Sequence, residues 1–74
     1  MAAFTPFYDW LAKHKGLRSP VGDLARDVLK DEAFPKDVTT LDALVSHIRA
    51  SSYGTTEVIA KARTTWRAFE RGGR

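Results

Sequence analysis

The chain contains no cysteine, and this absence excludes several structures and chemistries at once. Disulfides, thiol catalysis, and zinc or iron–sulfur sites held by cysteine all require a residue that is not there. The sequence also lacks an apolar run long enough to span a membrane, and it lacks the basic and apolar start of a signal peptide. No segment alternates apolar and polar residues over the length of a strand. We therefore expect a cytoplasmic domain, without membrane contact, whose regular structure is entirely helical.

The length and composition predict one small folded domain. A chain of 74 residues buries only about 60–65% of the surface that its unfolded form exposes. Its 43% hydrophobic and 28% charged residues are ordinary for a globular domain, so disorder is not expected. We expect residues 1–74 to form this single domain, with residues 1–4 and 72–74 frayed.

The first two helices are each marked by a capping residue followed by proline, which fits the first helical position because its missing N–H has no helical partner. Thr5 caps a helix that should run from Pro6 to about Lys15, before Gly16. Ser19 caps a helix that should run from Pro20 to about Lys30. Residues at helical spacing give each helix one buried face: Phe7, Trp10 and Leu11 in the first, and Val21, Leu24, Ala25, Val28 and Leu29 in the second.

Gly22 and Phe34, both in the first half of the chain, predict close packing. Gly22 lies inside the second helix, where glycine is worth roughly 1 kcal/mol less than alanine, and this cost suggests that another backbone passes close to it. Pro35 forces Phe34 out of the α region and ends any continuation of the second helix. We expect Phe34 to be an aromatic plug that anchors the connection to the core.

Two further helices follow. Thr39 or Thr40 caps the third, and after the turn-rich stretch 51–55 either Thr55 or Thr56 opens the fourth and longest helix. Their apolar faces consist of Leu41, Leu44, Val45 and Ile48 in the third helix, and of Val58, Ile59, Ala62, Trp66 and Phe69 in the fourth. The periodicity predicts an all-α, compact four-helix bundle with a longer C-terminal helix.

Two phrases carry a family resemblance: Phe7-Tyr8-Asp9-Trp10-Leu11, and Ser19-Pro20-Val21-Gly22-Asp23-Leu24-Ala25-Arg26-Asp27 leading on to Asp31, Phe34 and Pro35. With them the chain resembles the YozE-like family of small bacterial proteins, which have a SAM-like fold. The resemblance implies a bacterial or phage protein in which the long last helix packs across the others. The family is largely uncharacterised, so no particular activity is implied. SAM-like domains commonly associate with themselves or with other proteins, and by this analogy we expect an interaction module.

The last helix departs from the family pattern, because it keeps aromatic residues but is basic where the family is acidic. Residues 1–37 hold six basic and six acidic side chains, whereas residues 38–74 hold six and three. Arg63, Arg67 and Arg71 recur every fourth residue and span about 80° of the helix circumference, a sector to which Arg74 would return. The apolar face is centred well over 90° away, so we expect these arginines to face solvent.

Three interpretations of the arginines remain open. They can form a solvated face at the end of a helix, where positive charge interacts favourably with the helix dipole. They can bind phosphates of DNA or RNA, weakly and in a salt-sensitive way. They can bind an acidic protein, with Tyr8 and Tyr53 as partly exposed aromatic neighbours beside Phe4.

A second basic patch is a weaker candidate for phosphate binding. It consists of Lys13, Lys15 and Arg18 around the backbone of residues 16–19, which precedes the helix start at Pro20. The two lysines are better explained as the positively charged end of the first helix.

The sequence supports no catalytic or metal site. His14 and His47 have no acid or nucleophile at a recognisable spacing, and a metal site needs more ligands than these two. We therefore expect no enzyme, no cofactor and no small-molecule substrate. A buried contact between a carboxylate and a histidine would reopen the catalytic interpretation.

The resulting hypothesis is a non-catalytic module that binds a macromolecular partner, most readily a protein or a second copy of itself. The expected contact residues are Arg63, Arg67, Arg71, Tyr53 and Tyr8. The alternative is weak DNA or RNA binding through the same arginines.

Overall fold

The computed structural model describes residues 6–72, and these form four helices and no strand. The helices are α1 (Pro6–Ala12), α2 (Pro20–Leu29), α3 (Leu41–Ala50) and α4 (Thr56–Gly72). Helix α4 packs against α2 and α3, and α2 also packs against α1. The predicted all-α bundle with its longest helix last is confirmed. None of the helices in this part of the chain has the length and apolar character needed to cross a membrane.

Several predictions at the chain ends lie outside the described residues. These are the capping role of Thr5, the partial exposure of Phe4, the fraying of residues 1–4 and 73–74, and the position of Arg74. Gly72, which was expected to fray with them, is the last residue of α4.

Side-chain caps fix the starts of three helices. The Oγ of Ser19 accepts a hydrogen bond from the backbone N–H of Gly22 at 3.4 Å, at the start of α2. The Oγ1 of Thr40 accepts one from the N–H of Ala43 at 3.1 Å, so Thr40 and not Thr39 caps α3. Thr55 similarly accepts one from the N–H of Val58 at 3.2 Å, which makes Thr55 the cap of α4.

Helix α1 ends at Ala12, three residues earlier than predicted. The ring Nδ1 of His14 lies 2.6 Å from the carbonyl oxygen of Trp10, the atom that would accept the backbone N–H of His14 in a continuing helix. That N–H bonds instead to the carbonyl of Leu11 at 2.9 Å, a tighter turn that ends the helix. Helix α2 ends within one residue of its prediction, with Lys30 as its cap.

The loop between α1 and α2 lies directly on Gly22, as its sequence position predicts. A Cβ at this position would overlap the carbonyl oxygen of Leu17. Arg26 adds to the contact, because its guanidinium donates to the carbonyl oxygens of Lys15 at 2.6 Å and Leu17 at 3.1 Å. The absence of a side chain at Gly22 therefore sets the distance between the loop and α2.

The core lies between the four helices and includes the connection between α2 and α3. Phe34, 5% exposed, fills it as predicted, and Val38 of the same connection is buried as well. Leu29 was expected in the buried face of α2, but this was wrong: it is 36% exposed, because it lies at the edge of that face in the last turn. The other buried members are Phe7, Leu11, Leu24, Ala25, Val28, Leu44, Ile48, Ala62 and Trp66.

Four aromatic rings join α1 to α4. The ring centroid of Phe7 lies 4.6 Å from that of Trp66 and 5.1 Å from that of Phe69. Trp10 extends the cluster, at 5.5 Å from Phe69. Ring pairs at these separations stabilise beyond the area that they bury. This cluster fixes the buried side of α4 and thereby turns its opposite side to solvent.

Candidate functional site

Helix α4 presents a row of three arginines on its solvent side. Arg63, Arg67 and Arg71 are all exposed, whereas Ala62 and Trp66 on the opposite side are buried. Within residues 6–72, no ion pair or hydrogen bond engages any of the three guanidinium groups. We call these residues the arginine row. Its charge is available to a partner.

The neighbouring cations are already engaged. Lys61 of α4 donates to the carboxylate of Asp23 at 3.1 Å, and Arg26 donates to the other oxygen of that carboxylate at 2.6 Å. The hydrogen bond from Lys61 and the charge of Arg26 hold the pKa of Asp23 below its ordinary value. This group ties α2 to α4 and, among residues 6–72, leaves the arginine row as the unpaired positive charge on α4.

A second cluster of polar side chains centres on Asp31, in the connection after α2. One oxygen of its carboxylate lies 2.7 Å from the Nε2 of His47 and accepts a hydrogen bond from the hydroxyl of Tyr53, also at 2.7 Å. The other oxygen accepts the backbone N–H of Ala33 at 3.0 Å. We call Asp31, His47 and Tyr53 the Asp31 cluster. It links the connection, α3 and the turn before α4.

The environment of the Asp31 cluster shifts the pKa values of two of its members, Asp31 and Tyr53. Hydrogen bonds from His47 and Tyr53 favour the charged carboxylate and hold the pKa of Asp31 below its ordinary value. Burial of the Tyr53 hydroxyl, together with its hydrogen bond to Asp31, raises the pKa of that phenol. At neutral pH the cluster therefore holds an ionised Asp31 and a neutral Tyr53.

An open groove of about 650 Å³ runs beside this cluster. Its walls come from the end of α2, the end of α3 and the turn that follows. The residues that line it are Asp27, Lys30, Asp31, Glu32, Ala33, His47, Ala50, Ser51, Ser52 and Tyr53.

The five residues expected to bind a partner fall into two groups. Tyr53 belongs to the Asp31 cluster. The ring of Tyr8 stacks on Phe34 at 5.9 Å, and Phe34 in turn meets the edge of His47 at 5.2 Å. Both tyrosines are half-buried and reach the same region through these contacts, while the arginine row lies on the outer side of α4.

The second basic patch is exposed but belongs to a loop that α2 holds in place. Lys13, Lys15 and Arg18 all face solvent between α1 and α2. The carbonyl of Lys15 accepts a hydrogen bond from Arg26, so the backbone here serves packing.

With the fold in view, the chain was compared with known proteins. The family model described as the YozE SAM-like fold matches residues 6–71, nearly the whole chain. The chain belongs to the YozE SAM-like fold family. Comparison with curated proteins found no match, and comparison with solved structures found none either.

Membership of the YozE SAM-like family accounts for the bundle, and the match extends through the arginine row to Arg71. The Asp31 cluster was missed by sequence reasoning. Asp31 is 16 residues from His47 and 22 from Tyr53, so no periodicity within one element connects them. The sequence offered one signal, an acidic residue in the same short connection as an aromatic residue. This combination is too common in proteins to identify a cluster.

Proposed function

We propose that this chain is a non-catalytic interaction module that binds an acidic protein surface through the arginine row of α4. One observation carries the proposal: three exposed guanidinium groups share one face of a helix, and no carboxylate of the described chain neutralises them. Like charges four residues apart destabilise a helix by about 0.2–0.5 kcal/mol per pair. A partner's carboxylates would relieve that repulsion.

The Asp31 cluster supports a structural role and not catalysis. Its carboxylate already receives hydrogen bonds from the phenol of Tyr53 and the N–H of Ala33, in addition to its contact with His47. The nearby hydroxyl of Ser51 donates to the carbonyl of Ile48 at 2.6 Å, so it is not directed at the histidine. An Asp–His contact whose carboxylate is already hydrogen-bonded from two other segments suits the cross-linking of the connection, α3 and the turn before α4.

The alternative function is weak DNA or RNA binding through the same arginines. Unpaired arginines on one exposed face also suit phosphates, and three contacts give modest affinity that falls steeply with salt. In either case we propose that the protein acts in the cytoplasm, since a chain without cysteine needs no oxidising compartment to fold.

A fluorescence-anisotropy titration tests the proposal. Labelled poly-glutamate, duplex DNA and single-stranded RNA are titrated with the protein at low and at moderate salt. We expect saturable binding of poly-glutamate that weakens with salt and is lost in the variant Arg63→Glu, Arg67→Glu, Arg71→Glu. The control variant Lys13→Glu, Lys15→Glu, Arg18→Glu makes the same change in net charge elsewhere and should retain binding.

Each other outcome has a definite meaning. If poly-glutamate does not bind even at low salt, the proposal is wrong. If only the nucleic acids bind, and the triple arginine variant no longer binds them, nucleic-acid binding replaces the proposed function. If both triple variants lose binding equally, net charge and not the arginine row is responsible.

A further inference from the structure

The arginine row is one ridge of α4 with a shallow strip beside it. Residues four apart on a helix form a ridge, and successive arginines are separated by about 6 Å along the helix axis. The adjacent ridge holds only small side chains, of which the first three are exposed: Thr56, Ala60, Thr64 and Ala68. We call these four residues the small-residue strip. A charged ridge beside a shallow groove is the surface that a second helix fits.

We infer that the partner segment is an acidic α-helix with carboxylates at every fourth position, lying along the arginine row. This inference rests on the proposed function and specifies its partner. Carboxylates at positions i, i+4 and i+8 of a helix repeat at the same distance of about 6 Å, so each can meet one arginine. Each pair can be bidentate, which a guanidinium favours over a single contact.

The packing geometry of two helices agrees with this pairing. Ridges of residues four apart run parallel to each other when two helices cross at about −50°, the commonest arrangement in globular proteins. In that arrangement the acidic ridge of the partner enters the small-residue strip. Ala60 and Thr64 then allow the backbones to approach closely, while the longer arginine side chains reach the carboxylates.

The border of the positive surface on one side favours a helix over a nucleic acid. Glu57 is exposed and lies about 40° around the helix beyond Arg71. A duplex would bring additional phosphates towards this carboxylate, whereas a single helix that follows the arginine row places its carboxylates only against the arginines.

Three probes test the inference by fluorescence anisotropy. The first is a helix-forming peptide of alanine and glutamine with glutamate at every fourth position. The second has the same composition, with the glutamates rearranged to point to three sides of the helix. The third is poly-glutamate, which is unstructured at neutral pH. We expect the first peptide to bind at least about tenfold more tightly than the second, because only one or two carboxylates of the second can meet the arginines together.

A variant that leaves every charge in place isolates the small-residue strip. Ala60→Gln with Thr64→Gln fills the strip with residues that favour helix, so α4 should remain folded, which circular dichroism checks. This variant should bind the first peptide about tenfold more weakly and bind poly-glutamate as before. If the aligned and rearranged peptides bind equally, the helical partner is wrong while the proposed acidic partner stands. If poly-glutamate does not bind even at low salt, the proposed function itself is wrong.

Discussion

At the scale of single residues, the hydrogen bonds that Asp31 receives predict that the stability of the protein depends on pH. Its pKa is lower in the folded protein than the ordinary value of 3.8, chiefly because His47 and Tyr53 hydrogen-bond to the carboxylate. The stability contributed by the ionised group is therefore present above pH 3.8 and is lost as pH falls through the lower pKa of the folded state. Asp31→Asn should cost about 1.5–3 kcal/mol near neutral pH and much less in strong acid.

Urea unfolding followed by circular dichroism, at neutral pH and in strong acid below the folded-state pKa of Asp31, measures this difference. Asp37→Asn is the control, since Asp37 is exposed in the same connection and should change stability little at either pH. A free-energy gap between the wild type and Asp31→Asn that stays constant across the two conditions would contradict the prediction.

A buried hydroxyl gives the second prediction at this scale. Thr65 of α4 is 0% exposed, and its Oγ1 has no hydrogen-bond partner among the described residues. Thr65→Val replaces that hydroxyl with a methyl group of similar size, so it should stabilise the protein by about 1 kcal/mol. The exposed neighbour Thr64→Val should change stability by less than about 0.5 kcal/mol. Thermal unfolding compares the two, and a loss of stability in Thr65→Val would show that the hydroxyl has a partner in solution.

Residue-scale features differ in how far sequence reveals them. The close approach at Gly22 was predictable, because a glycine inside a helix carries a local cost that needs a reason. The burial of Phe34 was predictable, because a large aromatic side chain in a short connection of a small domain usually anchors that connection to the core. The Asp31–His47 contact was not, since it depends on how α3 packs against the end of α2, and both residues look like ordinary exposed polar positions in their own elements.

At the scale of secondary-structure elements, two glycines provide a matched test of loop packing. Gly22→Ala should destabilise the protein by about 1–3 kcal/mol although alanine is the better helix former, because the new methyl group overlaps the carbonyl of Leu17. Gly16→Ala meets nothing within 4 Å, and no glycine of the described chain has a positive φ. It should be neutral or stabilise by about 0.4–1 kcal/mol.

Urea unfolding of the two glycine variants distinguishes the packing effect from intrinsic helix propensity. If propensity dominated, Gly22→Ala would be the more stable of the two. A gain in stability for Gly22→Ala would mean that the loop moves away from α2 without cost.

Element boundaries were predictable where a side chain caps the backbone and the alternatives are few. Ser19 and Thr40 begin α2 and α3 at positions that the sequence allowed. The predicted end of α1 was wrong because the ring of His14 contacts the carbonyl oxygen of Trp10, which would accept a backbone N–H if the helix continued. Hydrophobic periodicity does not reveal this competition between a side chain and the backbone, since the residue types at positions 13–15 are all compatible with a helix.

At the scale of the whole molecule, the small size of the chain makes each core residue a large part of its stability. A domain of 74 residues has roughly 4–11 kcal/mol in total. The three arginines are exposed on the outside of α4, so reversing their charge should change that total by only about 0.5 kcal/mol or less per residue. The partner-binding face can therefore be altered without unfolding the protein, which is what makes the triple arginine variants usable as tests of function.

The core residue Phe34 contacts Tyr8 of α1 and His47 of α3 from the connection between α2 and α3, which contains no helix or strand. Phe34→Ala should cost about 3–5 kcal/mol, at least about a quarter of the total, and should lower the midpoint of thermal unfolding accordingly. Leu17→Ala, at a position that is 45% exposed, should cost far less. If Phe34→Ala lost less than about 1 kcal/mol, the aromatic plug would be peripheral to stability, and the Asp31 cluster would have to hold the connection to α3 without it.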